Sequence, residues 1–226
     1  MLNPIDYSIS KFITFADEDT LSQIHEIAKT KHFKKGAVIE TRGESGDHMH
    51  LIDEGLVQLG ISGIDGSKFN LTRLGPGHTF GETAYFVGHN VMYDAHAESD
   101  VTLQRLSPKD IDYLMGHSLT FAKALMRVSC MRVQTTLSYI GDTLGMPLQA
   151  RLAKQILSVS ESMNNADIII VRQVDLAHSL GLSRVSIGKA VKEMARKGYI
   201  KIGYGKLEIL SREKLTDLIR KSQRQI

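Results

Sequence analysis

The sequence is poor in features on which several protein classes depend. Its 226 residues contain a single cysteine, Cys130, which excludes an internal disulfide and a four-cysteine iron–sulfur cluster. No apolar run approaches the roughly 18 residues of a membrane span. The N-terminus lacks the basic-then-apolar layout of a secretory signal. We therefore expect a cytoplasmic protein that does not enter a membrane.

Lysine and arginine are both absent from residues 75–97, although part of this stretch suits an anion pocket. The segment Phe80–Ala84, FGETA, favours a tight turn whose backbone amides could surround an anion. A pocket of this kind usually adds an arginine to pair with the charge. The question is therefore which ligand, if any, this turn binds in the absence of a nearby arginine.

Positive charge is concentrated toward the C-terminus. Residues 143–226 hold 15 of the 28 basic residues and 7 of the 25 acidic ones, a balance of +8. Residues 1–142 carry the remaining 13 and 18, a balance of −5, in agreement with the net charge of +3. This asymmetry predicts that the C-terminal part binds a polyanion, with a solvated basic surface as the alternative.

The first half has the pattern of a helix followed by many short strands. Residues 17–29 have the spacing of a short amphipathic helix with acidic residues in its first turn. From about Thr30 to Leu106, short apolar runs alternate with glycine turns, which is typical of an antiparallel barrel or jelly roll. The segment Ile64–Ser67, IDGS, is a candidate hairpin turn.

Helical spacing begins near Pro108, and a long helix is predicted from about Ser118 to Asp142. This helix is apolar on two sides. One side carries Phe121, Leu125 and Val128 and the other a stripe with heptad spacing, so one side can pack on the barrel and the other on a second chain. The segment 141–147, with Gly145 able to adopt a left-handed conformation, is expected to end the helix and to form a domain boundary. The stripe with heptad spacing consists of Leu119, Ala122, Met126, Ser129, Val133, Thr136 and Ile140.

Residues 172–198 have the pattern of a helix–turn–helix. A short helix to about Leu180 is followed by Gly181, which supports the turn, and by Ser183, a favourable N-cap. The second helix would bury Ile187, Ala190, Val191 and Met194 and expose Arg184, Val185, Lys189, Lys192 and Arg196. Residues 199–210 alternate like two strands around Gly203–Gly205, as the wing of a winged helix does.

Taken together, these motifs resemble the CRP/FNR superfamily of bacterial transcription regulators. The first half resembles its cyclic-nucleotide-binding-like β-roll through KKGAVIETRGESGDHMHLIDEGLVQL and LGPGHTFGE, and the second half its winged helix through RQVDLAHSLGLSRVSIGKAVKEMARKGYI. The resemblance implies an α+β fold with a sensor domain at 1–117, a dimerisation helix at 118–142 and a DNA-binding domain at 143–226. It also implies a homodimer that binds double-stranded DNA and RNA polymerase and is not an enzyme.

The resemblance also assigns DNA-facing residues. Arg184 lies where the family reads guanine, and its planar fork suits the O6 and N7 atoms of that base. Val185 replaces a glutamate found in many members, so the half-site should differ there from the consensus of the cAMP receptor. The set implied by the resemblance is Arg172, Gln173, Ser183, Arg184, Val185, Ser186 and Lys189, and the exposed basic side of the second helix adds Lys192.

The same comparison bears on the effector. Members that bind cAMP follow the glycine–glutamate turn with an arginine–serine or arginine–threonine pair, whereas this sequence has Val91–Met92 or Tyr93–Asp94 in that place. We therefore expect an effector other than cAMP and no iron–sulfur cluster. A cAMP-responsive regulator, or a haem-responsive one using a histidine such as His78, His89 or His96, is an alternative. The candidate effector pocket comprises Gly81, Glu82, Thr83, Ala84, Tyr93, Asp94 and Thr136.

A metal-dependent enzyme of the cupin type is the alternative from another class. His48, His50 and Glu54 approach a cupin metal motif, and His78 could be a further ligand. Met49 and Leu51 alternate with these histidines, however, so we expect the two apolar residues to face the core and the histidines to face water. No metal site is predicted.

Overall fold

The computed structural model describes residues 10–62 and 68–223, which fold into two compact units. In the described chain the division between the units falls between Thr136 and Leu137, within one long helix. None of the helices in the described ranges combines the length and hydropathy that a membrane crossing requires.

The first unit is a roll of two four-stranded antiparallel sheets, which confirms the predicted β-roll. One sheet has the strand order β1-β8-β3-β6 and the other β2-β7-β4-β5. Strands β4 and β5 pair with each other, and the predicted turn Ile64–Ser67 between them lies outside the described residues. The strands are β1 Lys29–Phe33, β2 Val38–Glu40, β3 Met49–Glu54, β4 Val57–Ser62, β5 Lys68–Leu74, β6 Thr79–Phe80, β7 Asp94–Ala97 and β8 Val101–Leu106.

The helices of this unit begin where local sequence favours them. Helix α1, Glu18–Ile27, is capped by Asp17, whose carboxylate accepts the amide of Thr20 at 2.9 Å. Helix α3, Pro108–His117, begins at a capping box between Ser107 and Asp110, with proline at its first position. The remaining helices are α2, Glu82–Val87, and α4, Leu119–Gly145.

Two apolar cores hold the first unit together, because the sheet that contains β3 is covered on both faces. The first core lies between the two sheets and includes Ile52 and Phe80. The second lies between the outer face of this sheet and the helices. It joins Met49 and Leu51 of β3 to α1, α3 and the buried side of α4, which carries Phe121, Ala124, Leu125 and Val128.

The second unit is a helical domain with a three-stranded antiparallel sheet of order β10-β11-β9. Its core contains the predicted buried residues of the second helix of the helix–turn–helix, together with Leu176, Ala177 and Leu180 of the first. The sheet confirms the predicted wing hairpin and adds β9 as a third strand. The elements are α5 Leu148–Ser162, β9 Ile168–Ile170, α6 Gln173–Leu180, α7 Arg184–Arg196, β10 Ile200–Gly203, β11 Lys206–Ile209 and α8 Arg212–Gln223.

The end of α4 differs from the predicted one. The helix continues to Gly145, three residues past Asp142, and Gly145 is helical instead of left-handed. Lys154 of α5 forms an ion pair with Asp142, so contacts within the second unit support this additional turn. The domain boundaries proposed at residues 117/118 and 142/143 stay predictions.

The packing of α3 gives a matched pair of substitutions. Leu114 is fully buried in the second core, whereas its neighbour Met115 is exposed. Leu114→Ala should lower the free energy of unfolding by about 2–5 kcal/mol, because it removes transfer energy and leaves a cavity. Met115→Ala should change it by less than about 0.5 kcal/mol. Equilibrium unfolding in guanidinium chloride measures both, and equal effects would contradict this packing of α3.

Candidate nucleic-acid interface and effector pocket

Helix α7 is positioned by a turn whose residues suit it. Gly181 adopts a left-handed conformation with φ of 64°, and Ser183 is extended and caps the helix. The Ser183 hydroxyl oxygen accepts the backbone amide of Ser186 at 3.1 Å. This cap fixes Arg184, Val185 and Ser186 in the first turn, where a recognition helix contacts bases.

Helix α7 has one buried and one exposed side. Its predicted apolar stripe, Ile187, Ala190, Val191 and Met194, is buried in the core of the second unit. Val185 has 68% of its surface exposed. The outward side therefore presents basic side chains around an apolar one: Arg184, Val185, Lys189, Lys192 and Arg196 are all exposed.

Polar contacts fix α7 and α6 relative to α5. The Arg151 guanidinium donates to the carbonyl oxygen of Leu180 at the end of α6, at 2.9 Å. The Gln149 amide donates to Glu193 of α7 at 3.2 Å. Helix α5 therefore holds α6 through Arg151 and α7 through Gln149.

The two predicted DNA-facing residues before the turn lie at the start of α6. The Arg172 guanidinium donates two hydrogen bonds of 2.9 Å to the Asp175 carboxylate. These bonds lower the pKa of Asp175 and raise that of Arg172. Gln173 lies beside α7, because a Cβ atom added to Gly188 would come within 3.3 Å of its side-chain oxygen.

The wing carries an exposed aromatic residue that the sequence did not single out. Tyr204 is fully exposed at the tip of the hairpin, where Gly205 has φ of 66°. Lys201 and Lys206 are exposed on the two strands beside it. An aromatic side chain flanked by two cations, placed at a hairpin tip, suits contact with a sugar–phosphate backbone.

In the first unit, the predicted turn at residues 80–84 is the start of α2. Gly81 has φ of 90° and is the N-cap residue. A Cβ atom there would come within 2.4 Å of the His48 carbonyl oxygen, so this position requires glycine. Glu82 and Ala84 are buried and Thr83 is exposed, so only part of the predicted set faces the interior.

The cation missing from residues 75–97 comes from α4. Arg132 forms a buried ion pair with Glu82 and donates to the carbonyl oxygen of Thr79 at 2.7 Å. We did not predict this residue as part of the pocket. Arg132 follows Phe121, Leu125 and Val128 at helical spacing on the buried side of α4, and this spacing was the available signal.

Tyr93 lies inside the roll, as its place in the candidate pocket required. Its phenol oxygen accepts the backbone amide of Gly81 at 2.9 Å. Burial raises the pKa of Tyr93 far above its usual value, and the carboxylates of Glu82 and Glu40 raise it further. Tyr93 is therefore a neutral hydroxyl at neutral pH.

The remaining predicted pocket residues are Asp94 and Thr136. The Asp94 carboxylate accepts the backbone amide of Arg42 at 2.9 Å. Thr136 lies one turn beyond Arg132 on α4 and is partly buried. The structure thus brings Gly81, Glu82 and Tyr93 together.

The prediction that His50 faces water is wrong. Its side chain is buried, stacks on Phe80 with the ring centroids 4.6 Å apart, and lies 3.0 Å from Glu40. The alternation rule assumes that one face of a strand is solvated, whereas β3 is covered on both faces. Glu40 and His50 therefore belong to the polar interior of the roll, and the sequence pattern did not reveal them.

The histidines of the cupin alternative do not converge. His48 Nδ1 lies 3.1 Å from the Arg105 guanidinium, and burial together with Arg105 lowers the pKa of His48. His78 Nδ1 lies 2.9 Å from the Gly75 carbonyl oxygen, and Glu54 is exposed at the end of β3. Within residues 10–62 and 68–223, no three histidine, cysteine or acidic side chains are grouped so that they could hold a metal ion.

A roll of this topology, joined by a long helix to a winged helix–turn–helix, defines a class of DNA-binding proteins with a sensor domain. Comparison of the sequence with known protein families assigns the chain to the same class. The profile of the cyclic nucleotide-binding domain matches residues 30–118, and that of the Crp-like helix-turn-helix domain matches residues 150–218. The transcriptional regulator SdrP of Thermus thermophilus is 31% identical over 205 residues, 85% of this chain and 95% of the relative.

Two further relatives are similar to the chain over most of their length. The CRP-like cAMP-activated global transcriptional regulator of Mycobacterium tuberculosis is 25% identical over 176 residues, 75% of this chain and 79% of the relative. A crystal structure of a CRP/FNR-family transcriptional regulator from Thermus thermophilus superposes with a TM-score of 0.61 at 29% identity, covering 85% of this chain and 98% of that one. The chain belongs to the CRP/FNR superfamily. It is a DNA-binding transcription regulator and not an enzyme.

The buried ion pair generates a stability prediction. Arg132→Met should lower the free energy of unfolding by about 3–5 kcal/mol, because it leaves the Glu82 carboxylate buried without its partner. Adding Glu82→Gln should recover part of that loss, because the remaining side chain is uncharged. Denaturant titration of the two single variants and the double variant measures the coupling, and additive losses would show that the pair does not interact.

Proposed function

We propose that this regulator is a homodimer that reads an inverted repeat through α7 and that its activity does not depend on cAMP. The observation that carries the proposal is the capped, exposed first turn of α7, where Arg184 and Val185 project from a helix whose opposite side is buried. The balance of +8 over residues 143–226 supports binding of DNA by this unit.

The outward residues of α7 have different chemical capacities, and we assign them different roles. Arg184, in the first turn, can form a bidentate contact with guanine O6 and N7. Val185 beside it offers apolar contact, which suits a thymine methyl group. Lys189 and Lys192, one and two turns further on, and Ser183 and Ser186 at the cap are placed for phosphate contacts. Arg172, Gln173 and Tyr204 extend the proposed backbone contacts at the two sides of α7.

The dimer proposal rests on the exposed side of α4. Ala122, Ser129 and Thr136 of the predicted stripe are partly buried, so the exposed row differs from that prediction. The exposed row consists instead of two sets, each with one residue every seven, and together their residues alternate at spacings of four and three. The sets are Leu119, Met126, Val133 and Ile140, and Lys123, Cys130, Leu137 and Leu144. A row of this spacing matches the seam of a parallel two-stranded coiled coil. We call it the α4 seam.

The effector proposal rests on the interior of the roll. The arginine that lies there is already bound to Glu82, and the Tyr93 hydroxyl already accepts the Gly81 amide. The family resemblance puts Val91–Met92 or Tyr93–Asp94, neither of which is cationic, where cAMP-binding members have a phosphate clamp. RNA polymerase remains the proposed partner for transcription, as the family resemblance implies. The proposed domains are the sensor at 1–117, the dimerisation helix at 118–142 and the DNA-binding domain at 143–226.

Binding titrations test the assignment of base and phosphate contacts. The protein should prefer inverted repeats whose half-site centres are about 34–36 Å apart. Arg184→Ala should weaken binding to the specific site by about 1–3 kcal/mol and relax discrimination at one base pair. Lys192→Ala should weaken binding to specific and scrambled duplexes equally and reduce the salt slope by about 1.

The two variants are matched controls for each other, since both remove one exposed cation from the same helix. Titrations on both duplexes at several salt concentrations separate the roles. An equal loss on both duplexes for Arg184→Ala would make this arginine a backbone contact and contradict the proposed recognition helix.

The single cysteine of the chain provides a test of the dimer. Cys130 belongs to the α4 seam, so in a parallel dimer the two copies of Cys130 should face each other across the axis. Treatment with diamide, a thiol oxidant, should therefore produce a covalent dimer on a non-reducing gel. Cys130→Ser combined with Ser138→Cys moves the thiol to an exposed position outside the seam and should abolish the cross-link.

Sedimentation of uncross-linked protein gives an independent reading. Met126→Glu or Val133→Glu would place a charge in the seam and should shift the protein toward monomer. An unchanged dimer mass for both variants, or equal cross-linking of the two cysteine positions, would contradict this seam.

A further inference from the structure

The Gly81 amide, in the turn that the sequence suggested for an anion, is already used by the protein. Gly81 begins α2 with positive φ, and its amide donates to the Tyr93 phenol oxygen at 2.9 Å. The Tyr93 ring packs against the core between the two sheets. The chain therefore supplies an oxygen acceptor at the point where the turn would otherwise meet an anionic ligand.

The charges around this oxygen disfavour an incoming anion. The carboxylates of Glu82 and Glu40 are both close enough to raise the pKa of Tyr93. Glu82 has little exposed surface and holds Arg132, which also donates to the Thr79 carbonyl oxygen. An anion entering here would meet two carboxylates, and the neighbouring cation, Arg132, is already paired with one of them.

Two buried oxygen atoms of these carboxylates have no hydrogen-bond donor among the described residues: Glu40 Oε2 and Glu82 Oε2. A phosphate supplies acceptors and cannot satisfy either of them. A phenol hydroxyl is both a donor and an acceptor, so Tyr93 is chemically compatible with the amide of Gly81 and with nearby carboxylates.

We infer that Tyr93 is a built-in ligand of this sensor. Its phenol occupies the Gly81 amide in place of an anionic effector, and the turn that begins α2 is held by the chain itself. The inference rests on the proposed function for the identity of this unit as a sensor. Anionic effectors, cyclic nucleotides included, are excluded from this turn while the phenol is in place.

Two substitutions and one small-molecule probe test the inference in the full-length protein. Tyr93→Phe removes only the oxygen and should lower the melting temperature by at least about 2–4 °C, because the buried amide loses its acceptor. Tyr93→Ala removes the whole phenol group and should lower it further. Phenol at millimolar concentration should then raise the melting temperature of Tyr93→Ala by at least about 2 °C.

Toluene is the matched probe, since it has nearly the size of phenol and lacks the hydroxyl. We expect toluene to stabilise Tyr93→Ala less than phenol does, and phenol to leave wild type and Tyr93→Phe unchanged. Equal rescue by the two probes would show that the site recognises only apolar volume and would overturn the inference. No loss of stability in Tyr93→Phe would overturn it as well.

A cyclic nucleotide completes the test. cAMP should not raise the melting temperature of wild type at concentrations that saturate cAMP-binding proteins, and a thermal shift would show that the turn is open to anions. None of these samples contains DNA, so the results do not depend on DNA binding. Failure of the phenol rescue therefore contradicts the built-in ligand alone, whereas failure to bind an inverted repeat contradicts the proposed function alone.

Discussion

The ion pair between Arg132 and Glu82 determines how the first unit is built. The Glu82 side chain is buried and that of Arg132 is only 15% exposed, and a buried charge without its partner is strongly destabilising. The pair therefore ties α4 to the turn that begins α2, with Phe121, Leu125 and Val128 on the same side of the helix. Because that side must face the roll, the opposite side is left to solvent with exposed apolar residues. The exposure of the proposed dimer seam thus follows from the ion pair together with the apolar core that α4 covers.

Elements with strong local signals could be predicted from the sequence. The proline at the start of α3, the turn glycine and capping serine before α7, and the strands bounded by glycine turns all lie where the sequence predicts them. In these elements the residue chemistry and the backbone requirement coincide, as Gly181 shows with its left-handed conformation. The buried and exposed sides of the second helix of the helix–turn–helix could also be predicted. An amphipathic helix repeats its apolar residues with a single period and packs them against a single core.

The interior of the roll could not be predicted in the same way. Alternation along β3 suggested a solvated histidine, and the structure buries His50 because a helix layer and a second sheet cover both faces of that strand. Arg132 is separated from Glu82 by 50 residues, and only the packing of α4 brings them together. Strand β9 is short and apolar, and it is defined by pairing with β11, which no local pattern signals. These contacts depend on tertiary packing.

The charged groups inside the roll and those on the outward side of α7 differ in whether they form ion pairs, and this difference separates a closed site from an open one. Inside the roll, the Gly81 amide, Glu82 and Arg132 are bonded to other groups of the same unit. On the outward side of α7, no salt bridge among the described residues involves Arg184, Lys189 or Lys192. A cation that forms no intramolecular ion pair and stays hydrated can exchange its water for a phosphate or a base at little cost, whereas a buried pair must be broken before a ligand can enter. The distribution of satisfied charge therefore predicts ready binding of a polyanion at α7 and resistance to a small anion in the roll.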